Sequence, residues 1–230
     1  MVIIRRRTPG QRRTRKENAE AKYQALLHAA AEVVGEKGYV DATISRITTK
    51  ANVAQGTFYS YFENRQDLFD QLLPKMGGEM LDFITMRTRG VQDTTERERK
   101  GFLAFFDFIV QNPSFLRVLN EAEQIAPKGH RAHFSLIVHN YLAGLERDWE
   151  RGEYPGYQRR ELEVIVYILI AARSYLALRY ASENGEIKSI PSWVTDAYMK
   201  FITYGLRGAP AAERSQPTEK NRRRTGVSVT

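Results

Sequence analysis

The sequence predicts an all-α protein of about nine helices, with a small N-terminal unit built on a helix-turn-helix and a larger helical unit behind it. Three observations predict this. Apolar residues recur at helical spacing, as in Tyr23, Leu26, Leu27, Ala30 and Val34. Cap residues and breakers punctuate the chain at helix-length intervals: Gly38, Thr43, Asn64, Gly90, Pro113, Pro127, Gly152 and Pro191. No internal repeat and no convincing strand pair interrupts the pattern.

Taken in order, Glu17 to Lys37 reads as the first helix, stopped by Gly38, with Tyr39, Val40 and Ala42 packing behind it. Thr43 is a plausible N-cap for a short helix whose Ile44 and Ile47 turn inward. Ala51 closes a tight turn and Val53 packs behind it. A third helix starts near Gln55, with Ala54 before it, and its Phe58 and Phe62 at i, i+4 face the core. Asn64 caps a fourth helix, Arg65 to about Arg89, with Pro74 and Gly77-Gly78 inside as points of kinking or softening. Thr94 or Thr95 caps the next, to about Gln111. Pro113 opens a helix through Ile125, and Pro127 a long one through Arg151. Residues 160–183 form a very apolar helix and Pro191 to Leu206 the last. The expected domains are a basic flexible arm (1–16), a DNA-binding unit (17–64), a ligand-binding and dimerisation unit (65–210) and a disordered tail (211–230).

Composition narrows the function classes. At 42% apolar and 27% charged, the 230 residues have the make-up of a soluble globular protein. There is no cysteine, which excludes disulfides, thiol catalysis and zinc-thiolate sites. The start, MVIIRRR, is too short an apolar run for a signal peptide. Val164 to Ala172 is too short to cross a bilayer, so a cytoplasmic location is expected. The net charge of +8 sits at the ends. Arg5, Arg6, Arg7, Arg12, Arg13, Arg15 and Lys16 face no acid in residues 1–16. After residue 210, Arg214, Lys220, Arg222, Arg223 and Arg224 face only Glu213 and Glu219. A basic arm beside a helix-turn-helix suits phosphate or minor-groove contacts, and equally a solvated tail.

The stretches AAAEVVGEKGY and DATISRITTKANVAQGTFYSYFENRQDLF resemble the TetR/AcrR family of bacterial transcription regulators. The run from Val53 to Phe62, with its Gly-Thr, aromatic pair and Phe, is the most specific part. The resemblance implies a homodimer with one helix-turn-helix per subunit, and DNA contacts at Thr43, Ser45, Arg46, Gln55, Gly56, Thr57, Tyr59, Ser60, Tyr61 and Arg65. The charge of the basic arm adds Arg15 as a DNA-contact candidate. The chemistry agrees. Thr57 and Tyr59 can donate to phosphate oxygens, and Gln55 can read an adenine edge bidentately. Gly56 permits close approach, and Arg65 can hold a backbone phosphate. Ser45 is shorter than is usual in the family, so base reading there is either weak or passes to Arg46. Tyr61 has packing as its alternative role.

The resemblance also implies an inducer pocket in the second unit. Aromatics crowd residues 100–170, and for any one of them core packing is the simpler role. Together they suit an apolar cavity with a few polar groups. The candidate ligand residues are Phe102, Phe105, Phe106, Phe115, Asn120, Glu123, His133, Phe134, Ile137, Tyr141 and Arg173. Glu123 and Arg173 either orient a ligand or pair with each other. The expected ligand is a small hydrophobic compound, aromatic or acyl, and neither cofactor nor metal is expected: His130, His133 and His139 on one helix cannot converge on one ion. The two last helices are apolar enough to need a partner, which predicts a dimer interface at Ile165, Leu169, Leu176, Trp193, Tyr198 and Phe201.

These expectations sum to a repressor held on an inverted-repeat operator, with recognition helices about 34 Å apart, and released by ligand. A nonspecific architectural DNA binder and an activator of the same fold are the alternatives. An enzyme is not expected, since no Ser-His-Asp order, phosphate loop or HExxH stands out.

Overall fold

A computed structural model of the chain describes residues 14–183 and 186–206. The basic arm before residue 14 and the expected tail lie outside the described residues. Nine α-helices are present among them. Helix α1, Arg15–Asp41, begins two residues earlier than periodicity suggests. The cause is a capping box: the Thr14 hydroxyl accepts from the Glu17 amide at 3.2 Å, and the Glu17 carboxylate accepts from the Thr14 amide at 2.7 Å. Arg15 is therefore the first residue of α1, not part of an arm. Gly38 interrupts the helix at φ 81°, a conformation that a side chain resists. The last turn then swings Tyr39 into the core, fully buried.

Helices α2 (Ile44–Lys50) and α3 (Gln55–Phe58) follow, then α4 (Arg65–Thr88). Asn64 caps α4, its side chain accepting from Asp67 N at 3.0 Å. Helix α5 is Thr94–Gln111. Its cap is Asp93, which accepts from Glu96 N, rather than Thr94 or Thr95. A carboxylate satisfies the same orphan amide and also meets the positive end of the helix. Helices α6 (Phe115–Ile125) and α7 (Pro127–Glu150) come next, the first starting after Ser114 rather than at Pro113.

The apolar helix is shorter than the sequence suggests. Helix α8 runs Leu162–Leu176, and a π-helical turn covers Ala177–Ala181. A two-residue strand pair, β1 (Ser182–Glu183) with β2 (Glu186–Ile187), is antiparallel, where no strand pair was expected. The sequence between the strands is Asn184-Gly185, a dipeptide that favours tight hairpins. Helix α9 is Ser192–Leu206. Among the described residues, no single helix is long and apolar enough to cross a membrane.

One apolar core runs through both units. Two helices tie them together. Helix α4 leaves the helix-turn-helix and packs along α5 and α7. Helix α6, bent 88° from α5, crosses α1. There the Arg117 guanidinium donates to the Gly35 carbonyl at 3.1 Å, and Glu121 accepts from Tyr39 N at 2.9 Å. Burial disfavours the Glu121 carboxylate, yet Arg117 and the Tyr39 amide outweigh it and hold its pKa below the ordinary value.

The α4–α7 crossing is set by small residues. Pro74 has no N–H to offer the Asp70 carbonyl four residues earlier. Gly129 of α7 lies so close to that carbonyl that a Cβ on it would sit 2.7 Å from the oxygen. One turn along, a Cβ on Gly77 would sit 2.3 Å from Nδ1 of His133. Pro74 and Gly77-Gly78 thus lie in a continuous α4, where Gly77 makes room for α7.

Candidate functional site

The helix-turn-helix presents a polar face held from behind. Phe58 and Phe62 are buried with ring centroids 5.4 Å apart, and Ile47 is fully buried. Ile44 and Val53 pack against this core. The turn closes through Val53 N to the Thr48 carbonyl at 3.0 Å, with Asn52 at φ 54°, a region that Asn tolerates. Those anchors leave Thr43, Ser45, Arg46, Gln55, Gly56, Tyr59 and Ser60 on the surface. Tyr59 is 61% exposed, an unusual setting for an aromatic ring with no partner outside the chain. Gly56 has nothing within 4 Å of a built Cβ, so no contact inside the protein requires glycine there.

The remaining DNA candidates are more occupied. Thr43 caps α2, accepting from Arg46 N. The Arg46 guanidinium donates to the Asp41 carbonyl at 2.8 Å, and Arg65 donates to the Val40 carbonyl at 3.1 Å. Thr57 is half-buried. Tyr61 is half-buried too, 6.3 Å from the ring of Tyr23, so the packing alternative accounts for part of its surface. Arg15 is exposed at the start of α1.

The second unit encloses a cavity of about 560 Å³ between α4 and the later helices. Of the ligand candidates, Phe105, Phe115, His133, Phe134, Ile137, Tyr141 and Arg173 line it. Phe102 and Phe106 do not: both are buried in the core, and Phe102 stacks on Tyr198 at 4.0 Å. Asn120 and Glu123 do not either. They lie on the exposed side of α6, whose apolar side carries Phe115, Val118, Leu119 and Ala122. Arg173 consequently does not pair with Glu123.

Its partner is Glu98, which the sequence reading passed over. Arg173 donates to Glu98 Oε1 at 2.7 Å. The hydroxyls of Tyr141 and Tyr198 donate to the same carboxylate, each at 2.5 Å. The Arg173 guanidinium also stands 4.8 Å from the centroid of the Tyr141 ring. Burial works against the Arg173 charge, but the Glu98 carboxylate outweighs it and keeps the guanidinium charged. Burial likewise raises the Tyr141 and Tyr198 hydroxyls far above the ordinary tyrosine range. A signal for Glu98 exists in the sequence: it precedes Phe102 by four and Phe105 by seven, on the apolar side of α5. A second ion cluster lies nearby, in which the buried Asp148 accepts from Arg97 and Arg151.

His133 sits where the cavity meets α4. It is 4% exposed and packs on Phe115 and Phe134. Burial, then the neighbouring His130, pushes its pKa down to about 4, against a small opposing effect from the Leu73 carbonyl. The ring is therefore neutral at pH 7.

The expected dimer residues divide into two groups. Ile165, Leu169 and Tyr198 are buried within the protomer, because the apolar side of α8 faces its own core. Leu176 is half-buried, while Trp193 and Phe201 are 58% and 66% exposed. The outward rows are instead Val164, Tyr167, Ile168, Tyr175 and Leu178 near α8, and Trp193, Phe201 and Tyr204 on α9.

Residues 26–72 match the family described as bacterial regulatory proteins, tetR family. That segment contains α2, the turn and α3, the part whose geometry is most specific. Over that segment the chain is similar to the TetR family. Among curated relatives, it is 40% identical over 77 residues to the HTH-type transcriptional regulator YvdT of Bacillus subtilis, covering 34% of this chain and 40% of that protein. It is 38% identical over 61 residues to the fatty acid metabolism regulator protein of the same organism, covering 26% and 31%. The chain thus spans less than half the length of these two relatives. It is 25% identical over 191 residues to the transcriptional repressor KstR2 of Mycobacterium tuberculosis, covering 79% and 90%. Among solved structures, the fatty acid degradation regulator FadR of Bacillus halodurans has a TM-score of 0.65 at 20% identity, covering 86% of this chain and all of that one. FadR of Bacillus subtilis in complex with stearoyl-CoA has a TM-score of 0.64 at 17% identity, covering 82% and 100%. These TetR-family structures share the fold: an N-terminal helix-turn-helix and a helical C-terminal unit.

Proposed function

We propose that the protein is a dimeric transcriptional repressor that binds an inverted-repeat DNA operator and leaves it when a hydrophobic acyl or aromatic ligand enters the cavity. The observation that carries this reading is His133. One buried side chain both lines the cavity and fills the notch at Gly77 of α4, the helix that leads into the DNA-facing unit. A ligand against His133 changes what α4 packs on, and the free energy of that contact biases the spacing of the two recognition helices.

The DNA-facing part rests on Gln55, Gly56, Tyr59 and Ser60, exposed on a rigid base, with Ser45 and Arg46 beside them. Thr43, Thr57, Tyr61, Arg65 and Arg15 serve phosphates from the edges. Gly56 is the informative residue: an exposed helical glycine costs about 1 kcal/mol relative to alanine, and a DNA backbone approaching closely accounts for it. For the ligand, the fatty acid regulators among the relatives and the stearoyl-CoA bound by one neighbour support an acyl compound. For the dimer, the exposed apolar rows on α8 and α9 support a two-fold four-helix contact.

The test is selection of duplexes from a random library at about 0.2 M salt, where nonspecific binding is suppressed. Recovery of an inverted repeat, released on adding an acyl ligand, is the expected result. Binding without consensus that fades with salt refutes the reading in favour of an architectural protein.

A further inference from the structure

Helix α1 is broken at Gly38, and the break strands two backbone groups. In an unbroken helix the Tyr39 N–H would donate to the Gly35 carbonyl, four residues earlier. Gly38 stands at φ 81° and ψ 166°, which turns the Tyr39 amide away from that carbonyl. A backbone group left unpaired inside a packed contact is destabilising. Two side chains of α6 take these groups up. Arg117 Nη1 donates to the Gly35 carbonyl at 3.1 Å, and Glu121 Oε2 accepts from Tyr39 N at 2.9 Å. Between them, Arg117 Nε donates to Glu121 Oε1 at 2.7 Å. An i, i+4 ion pair on α6 thus stands in for an i, i+4 backbone bond of α1, a donor for the lost donor and an acceptor for the lost acceptor. The fit is close: a Cβ on Gly38 would sit 2.7 Å from Arg117 Nη2, and one on Gly35 would sit 2.2 Å from Ser114 Oγ.

What this pair holds is the turn that leads into the helix-turn-helix. Tyr39 is fully buried and meets Phe69 of α4 edge-on, with ring centroids 4.7 Å apart. The Val40 carbonyl accepts from Arg65 at 3.1 Å. The Asp41 carbonyl accepts from Thr43 N at 2.9 Å and from Arg46 Nη1 at 2.8 Å. Thr43, Arg46 and Arg65, three of the residues proposed to meet DNA, are therefore all hydrogen-bonded to the two carbonyls that follow Tyr39.

We infer that Arg117 and Glu121, on a helix of the second unit, are positioning residues for operator binding: they clamp α1 across its break and so set the pose of Thr43, Arg46 and Arg65. Neither lines the cavity. The inference rests on the reading of the helix-turn-helix surface as the DNA contact. The simpler role for such a pair is a surface i, i+4 bridge, which contributes little and reaches no other helix.

Exchanging the charges separates the two roles. Arg117→Glu with Glu121→Arg keeps an i, i+4 ion pair, in the more favourable order along the helix. It also sets a carboxylate against the Gly35 carbonyl and a guanidinium against the Tyr39 amide. Binding is measured by fluorescence anisotropy on the duplex selected with the unaltered full-length protein, with circular dichroism as the check on helix content. The expected result is at least about tenfold weaker binding at unchanged helix content, the scale of one hydrogen bond to a charged group. Glu121→Gln keeps an acceptor oxygen for Tyr39 N–H and should retain most of the affinity that Glu121→Ala loses. Amide exchange followed by NMR reads the clamp itself. The Tyr39 amide should be protected in the unaltered protein and exchange at least about tenfold faster in Glu121→Ala, while Leu26 and Leu27 stay protected. Unaltered affinity in the charge-exchanged protein, or equal affinity of the Gln and Ala variants, overturns the inference while leaving the DNA reading intact. A Tyr39 amide unprotected in the unaltered protein overturns it as well, and that measurement decides alone should the variants not fold. Failure of the unaltered protein to select any duplex defeats the DNA reading and this inference with it.

Discussion

Gly77 and Gly78 are adjacent on α4, yet replacing each with alanine should have opposite effects. A Cβ on Gly78 meets nothing within 4 Å, so Gly78→Ala gains only the helix propensity, about 1 kcal/mol. A Cβ on Gly77 would sit 2.3 Å from His133 Nδ1 and 2.7 Å from its Cε1. The ring cannot retreat easily, since it is 4% exposed and backed by Phe115 and Phe134. Overpacking of this kind costs about 1–3 kcal/mol. Because the propensity gain is common to both variants, their difference isolates the clash, about 1–3 kcal/mol in favour of Gly78→Ala. For a chain of this size that is a Tm separation of roughly 2–12 °C by calorimetry or circular dichroism. Pairing Gly77→Ala with His133→Ala should recover most of the clash, giving a coupling energy of similar size. Equal Tm values for the two alanine variants would show that α4 and His133 do not meet as described, and would remove the physical link between cavity and DNA-facing unit.

Gly56→Ala should leave Tm unchanged or raise it by a few degrees while weakening operator binding at least about tenfold in a fluorescence anisotropy titration; unaltered affinity would refute close DNA approach there. Phe201→Asp should convert the dimer to monomer in sedimentation without unfolding it, because the side chain is 66% exposed in the protomer, whereas a stable dimer would place the interface elsewhere. Stability should depend on pH through His133. Its folded pKa, about 4, lies below the ordinary 6.5, so the native state binds fewer protons between those values. The stabilisation is complete above about pH 6.5 and is lost as pH falls towards 4, by roughly 3 kcal/mol in all. Denaturant titrations at pH 7 and pH 4.5 should show that loss, and His133→Gln should reduce it; an unchanged slope in the variant would assign the acid sensitivity to other groups.

The helices were legible because caps and breakers are local chemistry. Asn64 capping α4 and Pro127 opening α7 follow from one or two residues each. Which face of the short helix is exposed was legible for the same reason: Phe58 and Phe62 fix the buried side, and the exposed residues follow. What escaped was set by distant parts of the chain. Glu98 lies in the charged run TERERK and reads there as a solvated residue. Only its offsets of four and seven from Phe102 and Phe105 hint otherwise, and its partners Arg173 and Tyr198 come 75 and 100 residues later. The inner and outer rows of α8 were not separable for a related reason. Helix α8 is apolar nearly all round, so its periodicity cannot tell the intrachain side, Ile165 and Leu169, from the outer one, Val164 and Ile168.

The Glu98 hub also bears on how such a cavity can change over generations. Replacing Glu98 by an apolar residue would strand three donors at once, on α7, α8 and α9, and replacing Arg173 alone would leave a carboxylate in poorly solvated surroundings with only two hydroxyls. Single steps away from the present arrangement therefore pass through unstable intermediates, while residues around the hub, such as Leu119, Ile137 and Ile170, remain free to vary in size. Descendants of this chain should diversify readily in the length and bulk of what they admit, and only rarely, by paired substitutions, in its charge.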